Sequence, residues 1–344
     1  MTLNKPIKIV LEKSVGYVLR DIIILDSSQF QLIDNYEQAE VILFENDKPS
    51  YIRQTTEFRQ YPEKCMVVSE MDLPTYFLPA CYASNRNFWL SRGRSKSIPY
   101  IMTQHAEPNH FIKDFTFTNS QRYLYSFKGG STSWIRKKLF KMNHNFSDVL
   151  IEESNHYHHW NYDNSYRDQK ENLMQQYAKL IDESLFFLCP RGAGVSSIRL
   201  FEVMQAGRVP VIISDDWIPI DGIPWDEFSI RIAEKDLQKL DQIVRSREHD
   251  AKQLGMKARQ AWVSFCSKEV QSKLLSQAII AIQSARNERR ETLLRFLFPL
   301  LEIKNNLTSK TVKLLKYSIL RAYALMGRKF PYSLNRPIEE QLRS

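Results

Sequence analysis

SLFFLCPRGAGVSSIRLFEVMQAGRVPVIISDDW, residues 184–217, reads as strand, glycine loop, helix, strand and polar tip. The apolar run Leu185 to Cys189 ends at Pro190, and a run that short suits a buried strand. Arg191-Gly192-Ala193-Gly194 turns the chain, and Ser196 or Ser197 is placed to cap a helix. Ile198, Phe201, Val203, Met204 and Ala206 give that helix a broad apolar face. Gly207 stands at the C′ position where helices end, and Val209 to Ile213 makes a second buried strand. A helix between two strands this close implies a parallel, right-handed crossover. In such a sheet the ligand lies beyond the strand C-termini, where Arg191 to Ser197 and Ser214 to Trp217 both fall.

The chemistry follows from that position. Glycines let backbone N–H groups approach a phosphate, the helix N-terminus adds partial positive charge, and Arg191 and Arg199 add full charges. A diphosphate can be held this way without a metal. Glu202, on the same helix, is placed to accept both hydroxyls of a ribose. Taken singly, the same residues have plainer explanations: glycines that only turn the chain, and an Arg199 that is solvated or paired with Glu202.

Taken together they carry a resemblance. Pro190-Arg191-Gly192-x-Gly194, Ser197-x-Arg199-Leu200-x-Glu202 and Ala206-Gly207-x-Val209 through Trp217 resemble the signature of the exostosin family of glycosyltransferases. The resemblance implies an α/β fold of GT-B type, two Rossmann-like domains facing across a cleft, with a nucleotide sugar on the C-terminal one and inversion at the anomeric carbon. Retaining GT-B enzymes commonly carry a Glu eight positions before the helix Glu; Gly194 stands there, which favours inversion.

Length and composition bound the rest. A chain of 344 residues exceeds what one core usually supports, so two domains are expected. The net charge of +9 admits nucleic acid, anionic lipid or an acidic substrate. No lysine-rich tail or aromatic RNA-binding motif concentrates it, which places nucleic acid below nucleotide sugar. Cys65, Cys81, Cys189 and Cys266 are dispersed without metal spacing and read as reduced core residues. The first residues lack the apolar run of a signal peptide, and no transmembrane-length segment occurs. A cytoplasmic enzyme is expected, unlike the membrane-anchored animal exostosins.

Ile7 to Leu11, Ala39 to Phe44 and Cys65 to Ser69 read as strands of a Rossmann-like acceptor domain, residues 1–120. Glu70-Met71-Asp72-Leu73-Pro74 follows the third, at a strand C-terminus. A carboxylate there can take the acceptor's proton, and the candidates are Glu70 and then Asp72, each equally able to cap the next helix instead. Residues 69–101 are also loosely similar to the acceptor domain of bacterial fucosyltransferases, where a Glu at the place of Glu70 is the base. Arg92-Gly93-Arg94-Ser95-Lys96 resembles an exostosin segment with Ser95 in place of the usual Asp, and its basic residues meet either an anionic acceptor or solvent.

Tyr123 to Gly130 reads as a strand entering a glycine turn, with Ser131 to Ser133 as cap and a helix after it. It resembles the exostosin Ser-Phe-x-Gly segment with its following Arg, so Arg136 would face the departing diphosphate. This opens the donor domain, residues 121–285, in which Gln169 to Ile181 and Leu237 to Arg290 have helical spacing. Pro219, Gly222, Pro224 and Trp225 form a rigid loop for the sugar pocket.

The His105-Ala106-Glu107 and His156 to His159 clusters lack the partners of a metal site, and the chain has no Asp-x-Asp to recruit one. A helical extension, residues 286–344, is apolar and basic from Thr292 to Arg328 and is split by Pro299. It suits an anionic membrane surface near a lipid-linked acceptor, or packing against the domains or in a homodimer.

The expected protein is therefore an inverting, metal-independent glycosyltransferase with no cofactor. Its donor site is Arg136, Arg191, Gly192, Gly194, Ser196, Ser197, Arg199 and Glu202. UDP is the nucleotide the family implies, and GDP follows if the fucosyltransferase likeness leads. The acceptor is a glycan or lipid-linked oligosaccharide. A non-catalytic nucleotide-binding relative and a basic membrane or scaffold protein are the alternatives.

Overall fold

A computed structural model describes residues 5–117, 121–144, 146–154 and 167–299. Residues up to Arg286 form one compact unit, and residues from Asn287 onward belong to a second, of which 288–299 are helical. The C-terminal run to Arg328 and the His156 to His159 cluster therefore fall largely or wholly outside the described residues.

The larger unit holds two sheets in which every strand pairing is parallel. The first is built from β1 (Ile7–Leu11), β2 (Phe30–Leu32), β3 (Val41–Phe44), β4 (Cys65–Ser69), β5 (Ala80–Tyr82) and β6 (Ser95–Ser97), in the order β2-β1-β3-β4-β5-β6. Helices α1 (Tyr17–Ile24), α2 (Pro49–Ile52), α3 (Thr56–Gln60) and α4 (Ile101–Ala106) join or follow these strands. β3 and β4 are buried at every residue, as parallel strands covered on both faces must be, and this is why they read as unbroken apolar runs.

The second sheet contains β7 (Tyr123–Gly129), β8 (Val149–Glu153), β9 (Ser184–Pro190), β10 (Val209–Ile213) and β11 (Ile230–Arg231), in the order β11-β10-β9-β7-β8. α5 (Trp134–Lys141) follows β7, α6 (Arg167–Asp182) follows β8, and α7 (Ile198–Gln205) connects β9 to β10. α8 (Leu240–Arg245), α9 (Ala251–Phe265) and α10 (Gln271–Ala285) close the unit. Read from β8, the second sheet repeats the winding of the first. In both, the strand order reverses beside the first strand, and this opens a crevice at the C-terminal edge.

Several elements differ from expectation. β2, β5 and β6 are three residues each, too short to show alternation, and β8 ends in two exposed glutamates within a polar stretch. α10, given by its position to the donor domain, packs Leu275, Ile279 and Ile282 into the core of the first sheet with Ile7, Cys81 and Ile98. The spacing of those three residues marks a buried helix face without saying what buries it.

The two sheets meet along a hydrogen-bonded seam. Ile218 N donates to Asn85 O at 3.0 Å and Asn87 N to Asp216 O at 2.7 Å, around an antiparallel bridge between Arg86 and Trp217. Ser97 Oγ donates to Ile218 O at 2.6 Å, and Lys96 pairs with Asp221 at 2.6 Å. The expected basic cluster is thus divided: Lys96 joins the seam, and Arg94 is buried with Nη1 on Tyr76 O and Nη2 on Phe77 O.

Candidate functional site

The crevice between β7 and β9 gathers most of the predicted donor residues. Ser126, within β7, stays inside the sheet, 2.6 Å from Ser184 Oγ. Gly129 ends β7 and Gly130 follows it, and Ser133 caps α5 by accepting from Arg136 N at 3.3 Å. The same hydroxyl donates to Arg191 O at 2.8 Å, so one cap residue ties the two loops together.

Arg136 lies under these loops, 5% exposed. Its Nε and Nη2 reach Pro190 O at 3.3 and 3.1 Å, and Nη1 reaches Gly130 O at 3.3 Å. Burial, then the nearby Arg199 charge, pulls its guanidinium down to about 9. Arg199 donates from Nε to Lys128 O at 3.2 Å and lies 5.6 Å from the Phe127 ring, with Arg136 5.5 Å from the same ring. Among the described residues neither forms an ion pair, so two like charges converge on one crevice. That arrangement is stable next to an anion.

The glycines have steric reasons to be there. A Cβ on Gly192 would stand 3.2 Å from Arg136 Nη2, and one on Gly129 2.7 Å from Arg199 Nη2. One on Gly194 would overlap Ser84 Oγ and stand 2.6 Å from Asp72 Oδ1. Ser84, a residue no sequence signal marks, accepts Val195 N at 2.9 Å and Ser196 N at 3.3 Å, so the first sheet completes the glycine loop of the second.

Ser197 occupies the N-cap of α7 without making a side-chain cap bond, and its hydroxyl is buried without a partner among the described residues. The buried Ser196 hydroxyl faces Tyr100 OH at a geometry short of a well-formed hydrogen bond. Both hydroxyls are buried at a helix N-terminus.

Two predicted residues are already engaged. Arg191 Nε meets Glu234 Oε1 at 2.6 Å and Nη2 meets Oε2 at 3.3 Å, a bidentate pair that offsets its charge. Glu234 is fixed in turn by its own N–H on Asp215 Oδ1 at 3.0 Å. Glu202 is 6% exposed and takes Tyr177 OH on Oε2 at 3.1 Å. Burial raises its carboxyl, opposed by the Arg199 charge and the Tyr177 hydrogen bond.

The acceptor side is also resolved into distinct roles. Glu70 accepts from Met102 N at 2.6 Å, Thr103 N at 3.1 Å and Thr103 Oγ1 at 2.6 Å, capping α4 from a distant strand. Burial pushes its carboxyl up to about 7 against those bonds. Asp72 lies at the seam, its carboxylate faced by the Gly194 N–H and by the Arg136 charge; burial raises its carboxyl and both of these lower it. Over a third of the residue still faces solvent.

The expected sugar-pocket loop borders a cavity of about 400 Å³ walled by Trp217, Pro219, Pro224, Trp225 and Arg231; Gly222 lies on a different cavity. Among the described residues no cluster of His, Cys, Asp and Glu is arranged to hold a metal ion, and no helix is long and apolar enough to cross a membrane.

Comparison with known proteins adds to the geometry. The exostosin GT47 domain matches residues 63–247, more than half of the chain and a span that includes every residue of the crevice. The exostosin-1 homolog of Caenorhabditis elegans is 31% identical over 163 residues, 44% of this chain and 43% of that protein. A protein of Oryza sativa subsp. japonica named a probable glucuronosyltransferase is 46% identical over 72 residues, 20% of this chain and 17% of its own. The matched regions thus span less than half the length of these relatives. Among solved structures, a glycosyltransferase from Rickettsia africae covers 82% of this chain and 98% of its own at 10% identity, with a TM-score of 0.40.

Proposed function

The chain belongs to the exostosin GT47 family, and on that premise we propose that it is an inverting, metal-independent glycosyltransferase using a nucleoside-diphosphate sugar. The observation that carries this reading is the convergence of Arg136 and Arg199 on the β7/β9 crevice, neither paired with a carboxylate among the described residues. A diphosphate supplies the missing anion, received by the N–H groups of Gly192, Ala193, Gly194 and Ser197 and by the Ser196 and Ser197 hydroxyls, while the Val195 and Ser196 N–H groups stay on Ser84.

In transfer, negative charge grows on the leaving diphosphate, and fixed guanidinium groups stabilise it without a metal. Arg136 is held for this by three carbonyl contacts and Arg199 by Lys128 O, with Glu202 and Tyr177 near it. Glu202 holds Tyr177 through Oε2 and lies in the field of Arg199, so its role in this reading is to position Arg199. Arg191, paired with Glu234, shapes the loop instead of neutralising phosphate.

A base must face the leaving group across the anomeric carbon, and Asp72 stands on the opposite sheet from Arg136. Asp72 therefore ranks above Glu70, whose oxygens are committed to α4. One observation favours the converse: Glu70 is pushed up to about 7, where a general base works best. Glu70→Gln separates the two, because full transfer by that variant removes Glu70 as base.

UDP is the first nucleotide in this reading and GDP the second, with a glycan or lipid-linked acceptor at a cytoplasmic membrane face. Titration calorimetry with UDP and GDP tests the donor site: binding to wild type and its loss in Arg136→Met support it, and no binding of either nucleotide overturns it. The anomeric configuration of the product, read by NMR, tests inversion.

A further inference from the structure

Asp72 sits on a loop pinned at both ends. Glu70 holds the near end to the first turn of α4, and Thr75 holds the far end through N to Asp47 Oδ2 at 3.1 Å and Oγ1 to Asp47 O at 2.7 Å. Between these anchors Met71 and Leu73 point outward, 57% and 71% exposed, and Asp72 is pressed against the second sheet. A Cβ on Gly194 would stand 3.1 Å from Asp72 Cα and 2.6 Å from its Oδ1. The carboxylate is thus packed against the Gly194 backbone, where the Gly194 N–H and the Arg136 charge both lower its pKa against burial.

This is the same pair of groups that a diphosphate needs. We propose that the Asp72 carboxylate is an internal rival of the donor diphosphate, occupying the Gly194 N–H and the field of Arg136 until the nucleotide takes them over. Two anions at one amide repel, so the arriving diphosphate turns Asp72 away from the loop and toward the acceptor side. Donor binding and readiness of the base are thereby one event, and a protein without donor keeps its base masked. The inference rests on the donor site proposed above and adds to it a cost of donor binding and an order of substrate addition.

The test is calorimetric binding of UDP to wild type, Asp72→Asn and Asp72→Ala, with melting temperatures measured alongside. Removing the rival charge is expected to tighten UDP binding about tenfold, the order of one charge-assisted contact, while kcat falls. Both substitutions lie at a partly exposed position, and an unchanged melting temperature in either one validates its binding result. Equal or weaker UDP binding by a folded Asp72 variant overturns the inference while leaving the donor site standing. Failure of wild type to bind UDP or GDP overturns both.

Discussion

Arg136 and Arg199, carried by different helices, bring their guanidinium groups to 5.5 and 5.6 Å from the same Phe127 ring. Burying one such charge is costly, and burying a second beside it is more so, unless a ligand anion is the intended partner.

The first prediction concerns Arg136 itself. Arg136→Met keeps the unbranched stem of the side chain and removes the charge, so the fold should persist. Affinity for UDP should fall by roughly 10- to 100-fold, the range for a charge-assisted contact, as read by calorimetry.

Two glycines of one loop should behave differently. In Gly192→Ala the new methyl meets the end of the Arg136 side chain, which can shift; the melting temperature should hold while nucleotide affinity drops. In Gly194→Ala it meets Ser84 and the Asp72 backbone, so thermal unfolding should occur several degrees lower, matching a loss of about 1–3 kcal/mol for overpacking.

Glu70 predicts a pH dependence. Its folded carboxyl titrates near 7 against an ordinary 4.5, so the folded state holds the proton more tightly than the unfolded one. The stability this gives is fully present below 4.5 and is lost as pH rises through about 7. The melting temperature of wild type should therefore decline relative to Glu70→Gln between those values, and parallel curves would contradict the assignment.

Arg191 and Glu234 form a partly buried pair at 2.6 Å. Glu234→Ala should cost about 2–4 kcal/mol by stranding the arginine and releasing the loop at Asp215. Adding Arg191→Leu should restore part of that loss, a coupling that a double-mutant cycle in urea measures.

Much of the second sheet was legible in the residues. β9, α7 and β10 follow from a short apolar run, two glycines, a serine cap and Gly207, all local signals that act over a few residues. Arg136 was legible only through the likeness of its segment to the exostosin Ser-Phe-x-Gly stretch with its following Arg; that its strand pairs with β9 is seen in the structure. β5 and β6 carried no such signal, since three residues cannot display a period and their burial comes from neighbours far along the chain.

Charge pairing was the part that sequence could not settle. Arg191 and Arg199 stand eight residues apart in one motif, yet a glutamate 43 residues downstream takes up the first, while the second keeps no ion pair among the described residues. In the same way Glu70 and Asp72 share one loop, and only the approach of α4 and of Gly194 tells the helix cap from the carboxylate that faces the crevice. Sequence determined the winding of the strands and the glycine loop, because backbone propensity and apolar periodicity are local. Tertiary structure decided which arginine and which carboxylate face the crevice, because the free energy of a charge depends on what surrounds it in space.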